Sequence, residues 1–537
     1  RAAHGVSGTD PLTGHAQAFL WGLGRVVAVE YPKLWGGLVD LPEAADAREL
    51  AGLAGALDGT FAGEDQLAVR GDGVFARRLV RGRTGDAPDG RPAWTPHGTA
   101  LVTGGTGAVG GHIARWLATH GAQHLVLTSR RGPDAPGAAE LRAELEESGA
   151  EVTVVACDAA DRDALARVLA DIPAHAPLTS VFHTAGVLDD GVIDGMDAQR
   201  LATVFRAKVR SALHLHELTA GLDLSAFVLF SSFAALSGGT GQGGYAAANA
   251  TLDALAEHRR ALGLPATSIA WGAWAGGGMA TDTVAAERLR GGAVPPMEPR
   301  LAVAALRRAL GHDEAAAVIA DVDWDQYLAG GPGITPNPLF ADLPEARALR
   351  DRTAGPGGDG ADSTGPDLAR RLAALSGPER DRFLEDLVRT HAAAVLGYRG
   401  PEQVEPARAF RELGFDSLTA VELRNALGTA TGLPLPTTLV FDHPTPVALA
   451  GHLKAELRTD GADPAALLTQ LDTLELGLAE STPSDTELAT IAERLRVLLD
   501  RCAPGQDGEE DAEVASELES ATDDEMFDFI SKEFGIS

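Results

Sequence analysis

Between residues 98 and 330, short apolar runs alternate with amphipathic stretches of helical length. Six runs stand out: Thr99-Ala-Leu-Val-Thr103, Leu125-Val-Leu-Thr128, Val152-Thr-Val-Val-Ala-Cys-Asp158, Ser180-Val-Phe-His183, Phe227-Val-Leu-Phe230 and Thr267-Ser-Ile-Ala-Trp271. Each suits one strand buried on both faces, the habit of parallel sheets. Their alternation with helices predicts a doubly wound α/β fold with right-handed crossovers. Such a sheet presents functional side chains beyond the carboxyl ends of its strands. The run at Phe227 leads there into Ser231-Ser232 and a glycine-rich loop. A helical segment follows, with Tyr245 and Asn249 one turn apart on one face.

The flanking regions pattern differently. Residues 1–97 read as a second α/β unit, with a helix through Ala16–Val26 and strands at Gly37–Asp40 and Gln66–Arg70. It lacks a phosphate-binding glycine turn, so it is expected to brace the next unit rather than do chemistry. Residues 331–366 are rich in Gly and Pro and polar, and read as a flexible tether. Within 367–458 an amphipathic helix carrying Leu418, Val421 and Leu427 begins just after Asp416-Ser417. In 459–537 two apolar stripes, Leu467/Leu468/Leu471/Leu474 and Leu488/Ile491/Leu495/Leu498, predict helices over about 464–479 and 485–500. An acidic stretch then leads to a last helical face of Met526, Phe527, Ile530 and Phe534.

The candidate chemistry sits at strand ends. Gly104, Gly107 and Gly110 follow the first strand and open a helix, the arrangement whose backbone N–H groups cradle a pyrophosphate. The second strand ends in Ser129-Arg130-Arg131, where arginine in place of an acidic residue suits the 2′-phosphate of NADPH. Tyr245 is the candidate proton donor and Ser232 faces the same substrate. A phenol of ordinary pKa, near 10, calls for a neighbouring cation, and Lys208 reaches the site only through the fold. Asp158 closes the third strand, where it is expected to face the adenine. His183 is expected to be a packed strand residue.

These residues resemble the ketoreductase of modular type I polyketide synthases, an extended relative of the short-chain dehydrogenases. Gly104/Gly107/Gly110, Ser129-Arg130, Cys157-Asp158, His183-Thr-Ala-Gly186, Leu188-Asp189-Asp190, Lys208, Ser232, Tyr245 and Asn249 carry the likeness. The helix reads Tyr245-Ala-Ala-Ala-Asn249 instead of the usual Tyr-x-x-x-Lys, and in this family the lysine and asparagine exchange sites. The resemblance implies catalysis by Tyr245, Ser232, Lys208 and Asn249. It implies a cofactor site that also includes Thr106, Ala185 and Gly186. It implies that Lys208 lowers the phenol pKa and holds the nicotinamide ribose. Leu188, Asp189 and Asp190 match the B-type stereocontrol motif, which implies a D-β-hydroxyl product.

Leu413-Gly-Phe-Asp416-Ser417-Leu and Val440-Phe-Asp-His-Pro-Thr-Pro446 resemble a four-helix acyl carrier protein, with Ser417 the expected 4′-phosphopantetheine site. No Gly-x-Ser-x-Gly surrounds that serine, so it is not read as a hydrolytic nucleophile. The tail resembles a C-terminal docking domain. The expected division is a structural subdomain over 1–97, a catalytic subdomain over 98–330, a linker over 331–366, a carrier over 367–458 and a docking domain over 459–537. Expected partners are upstream ketosynthase and acyltransferase domains of the same polypeptide and a phosphopantetheinyl transferase. A downstream synthase would bind residues 519–537, and a second copy would form a homodimer through the tail.

Composition narrows the setting. The formal net charge of −31 argues against nucleic acid and anionic membranes. No apolar run of 18 residues suggests a membrane span. Two cysteines, Cys157 and Cys502, show no metal-ligand spacing, so no metal and a cytoplasmic setting are expected. Starting at Arg1, the chain reads as a piece of a larger polypeptide. The rival is a silent reductase scaffold serving carrier and docking functions, against which intact Lys208, Ser232, Tyr245 and Asn249 argue. A free-standing short-chain dehydrogenase leaves 367–537 unexplained.

Overall fold

Seven parallel strands form the central sheet: β4 (Thr99–Thr103), β5 (His124–Ser129), β6 (Glu151–Ala156), β7 (Leu178–His183), β8 (Ala226–Ser232), β9 (Thr267–Trp271) and β10 (Ala316–Ile319). Their order is β10-β9-β8-β7-β4-β5-β6. Every residue of β4, β7 and β9 is buried, as two helical layers over one sheet require. The computed structural model describes residues 14–82, 94–277, 293–329, 337–353 and 368–457, apart from single positions and pairs within those spans. The expected tail helices and docking face lie outside the described residues.

The helices of the catalytic half follow their strands: α3 (Ala108–Thr119), α4 (Ala138–Glu147), α5 (Arg162–Ala170), α6 (Ala198–Phe205), α7 (Ser211–Thr219), α8 (Ala234–Ser237), α9 (Gly243–Ala261) and α10 (Pro299–Gly311). One core packs Val102, Ile113, Leu117, Leu125, Leu127 and Phe182 on one face of the sheet. A second packs Leu101, Leu165, Val181, Leu215, Phe227 and Leu252 on the other.

Upstream lie α1 (Phe19–Glu30), β1 (Leu38–Asp40), α2 (Ala47–Leu57), β2 (Gln66–Arg70) and β3 (Gly73–Ala76). β1 pairs parallel with β2, and β2 antiparallel with β3. Helix α1 packs on α9 through Gly22, where a Cβ would meet Ala246 O at 2.1 Å. Gly22→Ala is therefore expected to cost about 1–3 kcal/mol, as overpacking does. It should lower the thermal midpoint and slow turnover, because Ala246 adjoins Tyr245. An unchanged melt would show that α1 yields there. The buried Arg25 fastens the two halves, its guanidinium donating to Gln66 Oε1 (2.8 Å) and to Ala235 O.

One expectation is corrected. The described middle of the expected tether over 331–366 is structured: Pro338–Phe340 forms a 3₁₀ turn and Pro344–Thr353 a helix, α12, following α11 (Trp324–Ala329). Leu339, Phe340, Leu343 and Ala346 are buried with Phe233, Leu236 and Ala270, and Leu79 N donates to Leu339 O. Four apolar side chains amid polar sequence are enough to anchor the segment. Beyond it, α13 (Gly377–Leu396), α14 (Ser417–Thr431), α15 (Leu439–Asp442) and α16 (Pro446–Glu456) close over a separate core of Leu384, Val388, Phe410, Leu423, Leu427 and Leu449. This is the expected small helical domain. No described helix is long and apolar enough to cross a membrane.

Candidate active site

Strand order reverses at β4, which pairs with β5 on one side and β7 on the other, and a cavity of about 2200 Å³ opens beyond the strand ends. Gly104 turns the chain out of β4 at φ +71°, and a Cβ there would meet the Ala185 backbone at 3.0 Å. Gly110 lies so close to the turn that a Cβ would sit 2.3 Å from Gly104 O. No side chain caps α3, so its first N–H groups face the cavity mouth as an anion cradle. Thr106, Ser129, Arg130, Arg131, Ala185 and Gly186 line the same cavity. Ser129 Oγ accepts from Gly132 N (3.0 Å), which fixes the loop bearing the arginines. Asp158, just beyond β6, pairs with Arg206 (2.8 Å) and accepts from Ala160 N (3.0 Å); burial pushes its carboxyl up, but these partners outweigh it and hold the group below the usual range. The residues present therefore fit a dinucleotide with an added phosphate.

At the other end of the cavity the catalytic candidates converge. Between α6 and α7 the helix widens to a π turn at Arg206–Arg210, a distortion frequent at functional sites. It turns Lys208 inward, 4% exposed, with Nζ donating to Phe230 O and Asn249 Oδ1, both 2.8 Å. Gly186 leaves room for the lysine stem, since a Cβ there would lie 2.9 Å from Lys208 Cε. Asn249 Nδ2 donates back to Tyr245 O (2.8 Å), so both ends of the amide are committed. Burial pushes Lys208 down to about 7, opposed by the charge of Asp253.

Tyr245 is 8% exposed and Ser232 faces it from the end of β8. The expected lowering of the phenol is not found. Burial pushes Tyr245 above its usual value, while hydrogen bonds from Ser232 and Asn249 pull against that rise. The Lys208 ammonium lies 5.2 Å from the ring centroid and bonds Phe230 and Asn249. A phenol held high stays protonated, the state a proton donor needs.

Three further residues support this cluster: His183, expected only as a packed strand residue, and Asp253 and Glu30, which no motif pointed to. His183 is fully buried, with Nε2 facing Lys208 O (2.8 Å) and Nδ1 facing Thr103 Oγ1 (2.7 Å). A carbonyl accepts only, so Nε2 carries the proton and the ring anchors the π turn. Burial holds it neutral, pushed down to about 4. Asp253 continues the Tyr245–Asn249 stripe of α9, accepts from Ser268 Oγ (2.6 Å) and is pushed up by burial. Glu30, at the end of α1, accepts from Ile193 N (2.8 Å) and Gly241 N (2.7 Å), so one carboxylate ties together the two loops flanking the site. Only its being one of two charged residues in an otherwise apolar helix hinted at it.

The Leu188-Asp189-Asp190 segment lies on the first of those loops. Leu188 and Asp190 line the cavity, whereas Asp189 turns to Arg200 (2.9 Å). Gln242 Nε2 reaches Asp190 Oδ2 (3.4 Å), linking this loop to the approach of Tyr245. Ser417 forms the first turn of α14 in the helical domain.

Residues 98–276 match the family described as "KR domain", and residues 386–453 that described as "Phosphopantetheine attachment site". Residues 1–79 match "Polyketide synthase extender module SpnB, Rossmann fold domain". Polyketide synthase GfsA of Streptomyces halstedii is 50% identical over 85% of this chain, which spans 6% of that protein. Pikromycin polyketide synthase component PikAIII of Streptomyces venezuelae is 52% identical over 81% of this chain, which spans 28% of it. A solved structure described as "Structure of A-type Ketoreductases from Modular Polyketide Synthase" is 54% identical, with TM-score 0.63, over 65% of this chain and 73% of its own. "The first ketoreductase of the tylosin PKS" is 50% identical, with TM-score 0.59, over 65% and 74%. With a nucleotide cradle, a buried tyrosine–lysine–asparagine cluster and a downstream carrier, the chain belongs to the modular polyketide synthases, as an NADPH-dependent ketoreductase followed by a phosphopantetheine-bearing carrier domain.

Proposed function

We propose that the chain reduces the β-keto group of a polyketide thioester, held on a 4′-phosphopantetheine arm at Ser417, to a D-β-hydroxyl. The convergence of Ser232, Tyr245 and Lys208 on one cavity, with Asn249 bonded to Lys208 and to the Tyr245 main chain behind them, carries this reading. Gly104, Thr106, Gly107 and Gly110 would cradle NADPH, with Arg130 at its phosphate, and the bound cofactor would supply the hydride. Ser232 hydrogen-bonds the substrate carbonyl, and Tyr245 gives its phenolic proton to that oxygen as charge develops. Asn249, its orientation fixed by Lys208, keeps the helix turn behind Tyr245 in place, and Lys208 is the residue to meet the nicotinamide ribose.

The stereochemical reading rests on Leu188-Asp189-Asp190 and on the absence of tryptophan between Ser232 and Tyr245. Gln242, three residues before Tyr245, favours an unepimerised α-centre. A diketide thioester incubated with NADPH is expected to give the D-alcohol on chiral chromatography. The L-alcohol would sink the B-type reading, and no NADPH consumption would favour the silent scaffold.

The partners belong to the same proposal: upstream ketosynthase and acyltransferase domains, a phosphopantetheinyl transferase and a downstream synthase. Residues 459–537 would pair two chains as a four-helix bundle and present residues 519–537 for docking, in a cytoplasmic assembly. The apolar stripes and the acidic surroundings of Phe527 support this. Sedimentation of residues 459–537 is expected to show a dimer, and a monomer there defeats this part.

A further inference from the structure

The carrier and the reductase touch in the structure, at the end of α1. Asn425 Nδ2 donates to Val29 O (2.9 Å) and Arg424 Nη2 to Glu30 O (3.4 Å). These carbonyls belong to the last turn of α1, where a helix leaves acceptors without intrahelical donors and gathers negative charge. The Arg424 guanidinium lies 6.0 Å from the Tyr31 ring centroid. The Tyr31 phenol hydrogen-bonds Asp194, and the carboxylates of Asp194 and Glu30 both act on Arg424. A cation and an amide donor on α14 thus meet an acceptor-rich, acidic patch.

Two observations make this more than a resting contact. Gly414 and Glu422, which bracket Ser417 in sequence, line the large cavity together with Tyr245, Ser232, Leu188 and Asp190. The arm-bearing turn therefore stands at the mouth through which substrate must pass. The patch also involves the loop after Leu188-Asp189-Asp190, since Val192 and Asp194 border a second cavity of about 230 Å³ with Tyr31, Val421, Arg424 and Phe441. A space left open between the surfaces, with Phe441 65% exposed, suits a contact that must form and release each cycle.

We propose that this patch, the α1 C-terminus with Tyr31 and Asp194, is the docking site that this chain's own carrier uses for reduction, through Arg424 and Asn425 of α14. Docking there sends the arm into the crevice past the Leu188–Asp190 loop. The inference rests on the reductase reading above and on Ser417 as the arm site.

The full chain tests it. Its Ser417 is loaded with a β-ketoacyl arm, and single-turnover NADPH oxidation is compared with reduction of a free diketide thioester. Tethering supplies an effective concentration in roughly the millimolar range, so a weakened contact slows the reaction without abolishing it. Arg424→Glu is expected to slow reduction of the carrier-bound chain at least tenfold, with free-thioester reduction and arm loading unchanged. Adding Asp194→Lys to Arg424→Glu should restore part of the rate, an outcome that lost folding would not produce. Asn425→Ala gives a milder second reading of the same contact. Carrier-bound reduction at the wild-type rate in both single variants, with the free thioester still reduced, overturns the docking site. A wild-type chain that reduces neither substrate overturns the reductase reading and the inference with it.

Discussion

Tyr245→Phe retains NADPH binding and loses turnover by roughly 10²–10⁴-fold, the contribution of a positioned general acid. The ring keeps its place, because what holds it is the packing with Val204, Val209 and Ala248 rather than the hydroxyl. The Asn249 amide bonds Tyr245 O, a main-chain atom, and so keeps its partner in the variant. Lys208 likewise keeps Phe230 O and Asn249 Oδ1. The substitution removes the transferable proton together with the phenol's hydrogen bonds to Ser232 and Asn249, and leaves the ring's packing intact. A fluorescence titration with NADPH and a stopped-flow trace of its oxidation separate the two effects. Turnover near wild type would assign the proton to another donor.

Ser417→Ala abolishes arm attachment and with it all reduction of a carrier-bound chain, while reduction of a free diketide thioester continues. The separation is expected because the carrier has its own core around Phe410, Leu423 and Leu449, distinct from the two cores of the reductase sheet. Intact mass after incubation with a phosphopantetheinyl transferase and coenzyme A reads the first effect, and NADPH absorbance the second. A mass gain in the variant would move the arm to another residue. Loss of free-thioester reduction would tie the two domains more tightly than their separate cores suggest.

What the sequence disclosed and what it withheld follow from range. Tyr245 and Asn249 lie four residues apart on α9, so helical spacing alone placed them together. The glycines after β4 are a local motif, and their cradle follows from close backbone approach. Lys208 was nominated through the family likeness, and the reason it reaches the site is a π turn that no periodicity announces. Glu30, 211 residues from Gly241, is a loop clasp only because α1 crosses α9 at Gly22. His183 was legible as packed, but its contact with Thr103 needed β7 set beside β4, and its grip on Lys208 O needed the π turn brought against them. The height of the phenol is a matter of burial, which no motif carries.

The anchoring of Leu339 and Phe340 sets the length of the carrier's leash. The reductase holds the chain as far as Thr353, and the carrier core takes it up again at Leu368. Fifteen backbone steps separate those points, a span of at most about 50 Å when fully drawn out. With α12 left in place, a station beyond that radius of Thr353 would be out of the carrier's reach. Such a station is reached only if the reductase travels with the carrier or if α12 and its phenylalanine clasp peel away, exposing Phe233 and Leu236 as they go.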